Sequence, residues 1–582
     1  MKQFFTFFVS VLLFSTVTFG QTAVKQAYLD EEGIVQVKEI ITNETENYSK
    51  ETFSQQAGFP VKFASNSTYK PFRGVAIADI DGLPGDEIIV STNDSVYVVK
   101  GDGSVLWQAK LNGLAQYPPT VGDINNDGKP EIIVGNSYAT QRGAIDIFDY
   151  EGNPLEGFPY VITRGPIMCA PTISDIDGDG YLDIIFGTRG HAASELDHLV
   201  RVLNYKGEDV AGFPAILGNT PAVTPSIADI NNDEKPEIII STTEGWYVFD
   251  NEGNILDNYP VLFPEQEYRF SYQSPVVVDF DGEGNYNIVG GTHGNTPIFY
   301  AIDALSGEFR DGWPFYVPDE SWTYCPPTVV YLEDEEDYAF FIGRPLGDEV
   351  PAPMLWKFDK DGNVADNFPI VKTGGLEGFI SVADINNDGK YEIIFGSNQV
   401  DAETYDGFIY AYNMDGTPVD GYPIRPHGFT FMNGANFGDI MGDGNLYLVA
   451  LSYEQTFSPD DKTILNVYPL NVPMNDKTVL FGSYKGSNSR AGFVNPVGPI
   501  GIKNEQSHNA RIYPNPAKEY FYIDCENMKT VNVYNSVGQL VEKRSVNDNT
   551  HQIYTQNYTP GLYVIEIIKT DNYSEKVKVV IQ

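Results

Sequence analysis

The feature that most constrains this chain is a repeat. The stretch DINNDGKPEIIV begins at Asp123, and related stretches begin at Asp79, Asp175, Asp229, Asp279, Tyr331, Asp384 and Asp439, spaced 44 to 55 residues apart. A period near fifty residues means that each unit is one small supersecondary element, unable to bury its apolar faces except against its neighbours. The whole array therefore has to stack, and each unit must carry both a strand pattern and a turn pattern.

Both are legible. A short apolar run such as PTVGDI leads into an acidic turn, an apolar strand such as EIIVG follows, and an alternating strand such as AIDIFDYEG comes after a variable loop. Alternation of apolar and polar residues marks half-buried strands. The second to seventh units then end on a Gly-to-aromatic-Pro segment: GNPLEGFP (152–159), GEDVAGFP (207–214), GNILDNYP (253–260), GEFRDGWP (307–314), GNVADNFP (362–369) and GTPVDGYP (416–423). Proline cannot donate to a ladder, which places this segment on the outermost strand, and the aromatic is expected to pack between neighbouring units. Four strands per unit at this period predict an all-β chain, an eight-bladed β-propeller, or a seven-bladed one if the sixth or eighth unit is irregular. A further copy of the last strand, QAGFPVKF, precedes the first acidic turn, and the eighth unit lacks its own. The N-terminal strand is therefore expected to complete the last blade, leaving no open edge.

The turns carry a ligand pattern. Four units place side-chain oxygens at positions one, three, five and nine, with a backbone carbonyl at position seven. They are Asp123, Asn125, Asp127, Lys129 and Glu131; Asp175, Asp177, Asp179, Tyr181 and Asp183; Asp229, Asn231, Asp233, Lys235 and Glu237; and Asp384, Asn386, Asp388, Lys390 and Glu392. Calcium takes six to eight oxygens and is served by such alternate positions. Glycine at position six permits the sharp turn, and Glu234 replaces it in the fourth unit. A plain hairpin turn needs no acid at positions one, three and nine together. The expectation is structural Ca2+ at about four sites and at up to seven. The first, fifth and eighth units are degenerate, with Leu83 at position five, Asn287 at nine, and Met441 at three. The sixth, starting at Tyr331, is expected to hold no metal.

Net charge is −43, from 37 basic and 80 acidic residues, which argues against a nucleic-acid partner. The opening MKQFFTFFVSVLLFSTVTFG is expected to be a signal peptide, and no later run is long enough to predict a transmembrane segment. Three cysteines do not make a disulfide framework. Cys169 and Cys325 each lie six residues before their repeat's first position, and are expected to be equivalent buried residues.

The turns resemble FG-GAP/VCBS-type repeats, the calcium-loop blades found also in integrin α-subunits, over about residues 53–493. Residues 511–582 resemble a type IX secretion C-terminal sorting domain. The residues that carry this are Tyr513-Pro514-Asn515-Pro516, VNVYNSVGQLV (531–541), Pro560 to Ile567 and the closing KVKVVI. That resemblance implies a partner in the type IX secretion machinery, export across the outer membrane of a Gram-negative bacterium, and a secreted or surface location. The alternating runs of the tail independently predict a small β-sandwich. The expected domains are a signal peptide (1–20), an N-terminal leader (21–52), the propeller (53–493), a linker (494–510) and the sorting domain (511–582).

In a four-stranded blade the first turn lies on one face and the second on the other, so the acidic turns and the long variable loops separate. Loops on a rigid scaffold commonly bind. Candidate ligand-binding residues on the variable face are Arg142, Arg189, His191, Arg269, Trp322, Tyr324 and Arg344. Two functions remain open: a binding or adhesion protein for a glycan or protein ligand, and a propeller-type polysaccharide lyase or other carbohydrate-active enzyme. The lyase needs a base and a charge-neutralising cation in one cleft. No nucleophile elbow, zinc-protease motif or P-loop occurs, and no catalytic residue is assigned.

Overall fold

The computed structural model describes residues 22–29, 34–42, 53–494 apart from 67, 139–141, 164, 191–197, 264–267, 271, 319–322 and 345–350, and 510–581 apart from 514–516, 519, 526–527, 536–539, 547–548, 560 and 570–573. The expected signal peptide lies outside them, as do His191 and Trp322. The chain divides into two units, Met1–Gly501 and Ile502–Gln582.

In the first unit the strands follow the repeats. The third repeat runs Thr172–Ser174, Asp183–Thr188, Leu199–Leu203 and Ala215–Ile216, each antiparallel to the next. The fourth and sixth repeats have the same order. The first strand is short and precedes the acidic turn. The second opens on the position-nine acid and is apolar through its middle, as in Ile184, Ile185 and Phe186, because both of its faces are covered by neighbouring sheets. The eighth repeat takes its outermost strand from the N-terminus: Val61–Ala64 pairs with Lys462–Pro473, Val61 opposite Leu465 and Ala64 opposite Lys462. The edge is closed as the QAGFPVKF copy leads one to expect.

The core is a succession of clusters between adjacent repeats. Ile133, Phe158, Ile173 and Phe186 join the second to the third. Val202, Phe213, Ile227 and Ile238 join the third to the fourth. The succession returns to its start, with Val75, Ile88 and Val90 packed on Ile440, Val449 and Leu465.

The aromatic-Pro segments belong to this packing. Phe158, Phe213, Trp313 and Phe368 are buried in inter-repeat clusters. Tyr259 donates its hydroxyl to Ala304 O at 2.8 Å, and Trp313 its indole N–H to Lys360 O at 3.2 Å, each in the following repeat. The residue before the aromatic is left-handed throughout, and at Gly58, Gly157, Gly212 and Gly312 it touches the backbone of the next hairpin. At Gly212, with φ 91°, a Cβ would lie 1.9 Å from Glu252 O. Asn258 and Asn367 occupy the same position at φ 73° and 64° and use their amides to bond Leu305 O and Asp415 O.

Two elements go beyond the sequence reading. The expected leader contains a hairpin, Thr22–Leu29 with Val35–Thr42, whose first strand pairs with Gln399–Asp401. The other follows the eighth repeat. Val479–Phe481 pairs with Ser381–Ala383, and the backbone oxygens of Gly482, Asn488, Ser489, Ala491 and Gly492 then accept from Phe437, Val121, Ile173, Ile227 and Val277. Phe493–Val494 finally lies parallel to Val276–Asp279. The segment thus passes from first strand to first strand, touching the seventh, eighth, second, third, fourth and fifth repeats in turn. Asn488 also donates to Ile77 O of the first at 2.7 Å.

The second unit has two sheets, Arg511–Tyr513, Tyr520–Asp524 and Thr550–Tyr554 in one, and Leu540–Ser545, Met528–Asn535, Gly561–Lys569 and Ser574–Ile581 in the other. Phe521, Ile523, Val531, Val533, Ile565, Ile567 and Val579 form its core, making the expected small sandwich. No described helix is long and apolar enough to cross a membrane.

Candidate metal loops and an axial cluster

The four complete loops share one geometry, set by the pairing that closes them. In the second repeat Gly122 faces Glu131 across the ladder. Asp123 Oδ1 accepts from Asp127 N at 3.1 Å and its Oδ2 from Gly128 N at 2.9 Å. Asn125 Oδ1 accepts from Asp127 N, and Asp127 Oδ1 from Lys129 N. Glu131 is tied back by Ile124 N at 3.0 Å and by the Asn125 amide at 2.9 Å. Ile176 N to Asp183, Ile230 N to Glu237 and Ile385 N to Glu392 repeat the tie. Position six is left-handed in all four loops, at Gly128, Gly180, Gly389 and also Glu234, whose φ is 67°.

The oxygens converge. One oxygen from each of Asp175, Asp177 and Asp179 lies within 4.8 Å of the others. Burial, with the neighbouring carboxylates adding to it, pushes Glu131, Asp183, Glu237 and Glu392 up to about 7. Among the described residues no lysine or arginine pairs with any acid of these four loops. The donor set is all oxygen, negatively charged and uncompensated, which suits a hard divalent cation.

The degenerate loops differ by carrying their own partners. In the first repeat Asp79, Asp81 and Glu87 converge as tightly as the third repeat's acids, but Lys100 Nζ sits 2.6 Å from Asp81. In the fifth, Arg310 forks onto Asp281 with two contacts of 3.1 Å. In the eighth, Tyr447 fills position nine and donates to Asp443 at 3.0 Å.

The ligand candidates lie at the other ends of the strands. Arg142 is exposed, at the start of Arg142–Phe148. Arg189 follows the third repeat's second strand, and Tyr324 precedes the sixth repeat's first strand. Between them lies Tyr272, whose hydroxyl is 3.3 Å from Arg189 Nη1 and whose ring is 5.3 Å from that of Tyr324. His293 stacks edge-on to Tyr324 at 5.1 Å and is bridged through its backbone to Arg269 in both directions. Arg344 is buried, its backbone oxygen accepting from Leu376 N at 2.8 Å.

Tyr272, His293, Glu377 and Arg73 are absent from the sequence-based candidates. Alignment of the repeats would have exposed them. Tyr272, Tyr324 and Glu377 each lie seven residues before their repeat's first position, while Arg189 and His293 each lie fourteen after it. Arg73 shares the position of Cys169 and Cys325, both buried and free as expected.

Residues 511–582 match the family described as the secretion system C-terminal sorting domain. Residues 123–186 and 175–240 match the FG-GAP-like repeat. No curated protein matches the chain. Among solved structures, the Vibrio cholerae biofilm matrix protein Bap1 aligns at 12% identity over 77% of this chain and 96% of its own, with a TM-score of 0.36. PorZ, a surface component of the type IX secretion system of Porphyromonas gingivalis, aligns at 13% over 96% and 82%, with a TM-score of 0.25. The Dos1 propeller aligns at 13% over 73% and 98%, with a TM-score of 0.35. Residues 123–240 thus carry FG-GAP-like repeats and residues 511–582 a secretion system C-terminal sorting domain, and the succession of four-stranded antiparallel sheets makes the first unit a β-propeller.

Proposed function

We propose that the chain is a secreted or cell-surface binding protein, exported by the type IX machinery through residues 511–582, whose repeats are held together by calcium and whose opposite face takes an extracellular glycan or protein. The observation that supports this most is the separation of two chemistries. Acidic loops occupy one end of the first and second strands, and Arg189, Arg269, Tyr272, His293 and Tyr324 occupy the other. Calcium would be held by Asp123, Asn125, Asp127, the Lys129 carbonyl and Glu131, and by the same positions of the third, fourth and seventh repeats. It would supply the positive charge these loops lack, stabilising the folded state by binding it preferentially.

The binding role is tested on a glycan and matrix-protein array run beside a polysaccharide depolymerisation assay. Capture without product supports the binding reading. New double bonds absorbing in the ultraviolet, with product accumulating, would replace it with the lyase.

A further inference from the structure

Among the described residues, the cluster around Tyr272 holds guanidinium groups that no carboxylate pairs. Acidic residues outnumber basic ones 80 to 37, yet Arg189 and Arg269 have no carboxylate partner among the described residues. Among the described residues, Arg189 Nη1 contacts the Tyr272 hydroxyl and Met168 Sδ, each at 3.3 Å. Arg269 Nε is buried with no hydrogen-bond partner. A half-buried guanidinium with no carboxylate of its own keeps its fork of donors available to an anion.

The nearby acid does not complete them. Glu377 is buried and its Oε2 has no partner. Burial outweighs the opposing pull of Arg73 and pushes its carboxyl up to about 8, so at neutral pH it is a neutral O–H donor. Burial, then Arg269, pushes His293 down to about 3, leaving a neutral imidazole. Two half-buried guanidinium groups therefore share the cluster with two neutral polar groups that are themselves buried. Around them lie the half-buried rings of Tyr272 and Tyr324 and the buried ring of His293, within 5.1 to 6.3 Å of one another.

We propose that this cluster binds an acidic saccharide, its anionic group on Arg189 and Arg269 and its apolar ring face against Tyr272 and Tyr324. The inference rests on the binding reading above and narrows its ligand. A sugar ring needs an apolar face to stack on and neutral donors for its hydroxyls, which an acidic peptide does not use. The surrounding charge repels polyanions in general, so capture of one requires a local site. The anion is a uronate carboxylate or a sulfate ester, since a guanidinium forks onto either.

The test is isothermal titration of the whole protein, with calcium, against four probes: an oligogalacturonate, a sulfated galactan oligosaccharide, a neutral galactan oligosaccharide and polyglutamate. Binding of at least one acidic saccharide is expected, weakened tenfold or more in both Arg189→Gln and Arg269→Gln, and unchanged in the charge control Lys110→Gln. Unaltered thermal midpoints show that the variants fold. Which acidic probe binds identifies the anion. Equal binding of the neutral saccharide or of polyglutamate, acidic binding that survives both substitutions, or no acidic binding at all would overturn the proposal. Neutral saccharide binding lost in Tyr324→Ala would leave the broader binding reading standing while this one falls.

Discussion

Arg73, just ahead of the first repeat's inner strand, donates through Nη1 to the backbone oxygen of Glu377, just ahead of the seventh's. Its Nη2 donates to Tyr324 O at 2.5 Å and to Tyr272 O at 3.2 Å. One buried guanidinium thus ties the first repeat to the fifth, sixth and seventh, at a place where loops would otherwise leave carbonyls unpaired. Arg73→Met keeps most of the side-chain volume and strands those acceptors. At about 1–3 kcal/mol for a group left buried and unsatisfied, it is expected to lower stability by roughly 3 kcal/mol, read as a shift in the urea midpoint with unchanged slope.

Glu377 makes the ring sensitive to pH. Its folded value of about 8 lies above the ordinary carboxylate value of 4.5, so the fold prefers the protonated form. The sign follows from linkage: stability falls as pH rises from about 4.5 to about 8 and is level above that. Glu377→Gln supplies a permanently neutral group of the same shape. It is expected to match the native protein near pH 5 and to exceed it by a few kcal/mol at pH 9, since each pH unit between the unfolded and folded values corresponds to about 1.4 kcal/mol. Parallel denaturation curves at the two pH values would contradict this.

Calcium removal should lower the thermal midpoint, and readdition should restore it. The first repeat offers a sharper measurement. Lys100 lies 2.6 Å from Asp81 and holds its carboxyl below the ordinary range, chiefly through their hydrogen bond. Asp79, Asp81 and Glu87 nevertheless converge as the acids of the third repeat do. Lys100→Met is expected to titrate one calcium more than the native chain, and to melt lower in chelator. Equal stoichiometry would show that Leu83 at position five, not the lysine, excludes the ion.

Gly212 tests the contact between neighbouring repeats. Its φ of 91° disfavours a side chain, and a Cβ would stand 1.9 Å from Glu252 O, a backbone atom of the next hairpin. Gly212→Ala is expected to cost about 3 kcal/mol, combining left-handed strain with overpacking. Asn258→Gly, at the equivalent position, should cost under about 1.5 kcal/mol, since it loses only the amide bond to Leu305 O. Both values come from chemical denaturation.

These features differ in how far the sequence discloses them. The acidic turn and the aromatic-Pro segment are local patterns copied many times, so their spacing discloses the repeated strands and the N-terminal closing strand, but not the leader hairpin or the strands after the eighth repeat. The axial cluster is built from positions occupied differently in each repeat, as in Tyr272, Tyr324 and Glu377, and it emerges only when the repeats are laid over one another. Arg73 and Glu377 stand 304 residues apart in sequence, and no periodicity links them. The stretch GSYKGSNSRAG (482–492) is polar and rich in glycine and serine. It makes about one backbone bond per repeat, so its strand-like role is spread too thinly to leave an alternating pattern.

That stretch carries the last prediction. Lys485 is buried, donating to Ser226 Oγ at 2.6 Å and Pro275 O at 2.7 Å, and burial holds it well below the ordinary lysine value. Arg490 donates to Pro119 O at 2.8 Å and Tyr484 O at 2.9 Å. These bonds reach first strands, or the residues just ahead of them, from several repeats at once, so the segment acts as a tie across the array and not as part of a linker. A chain ending at residue 501 is expected to keep the native melting curve of the ring. A chain ending at residue 477 loses the tie, leaves first-strand N–H groups of the second to fifth repeats unpaired, and is expected to melt lower and less cooperatively. Since both truncations lack the sorting domain, a difference between them isolates residues 478–501, and identical curves would reduce the segment to a passenger.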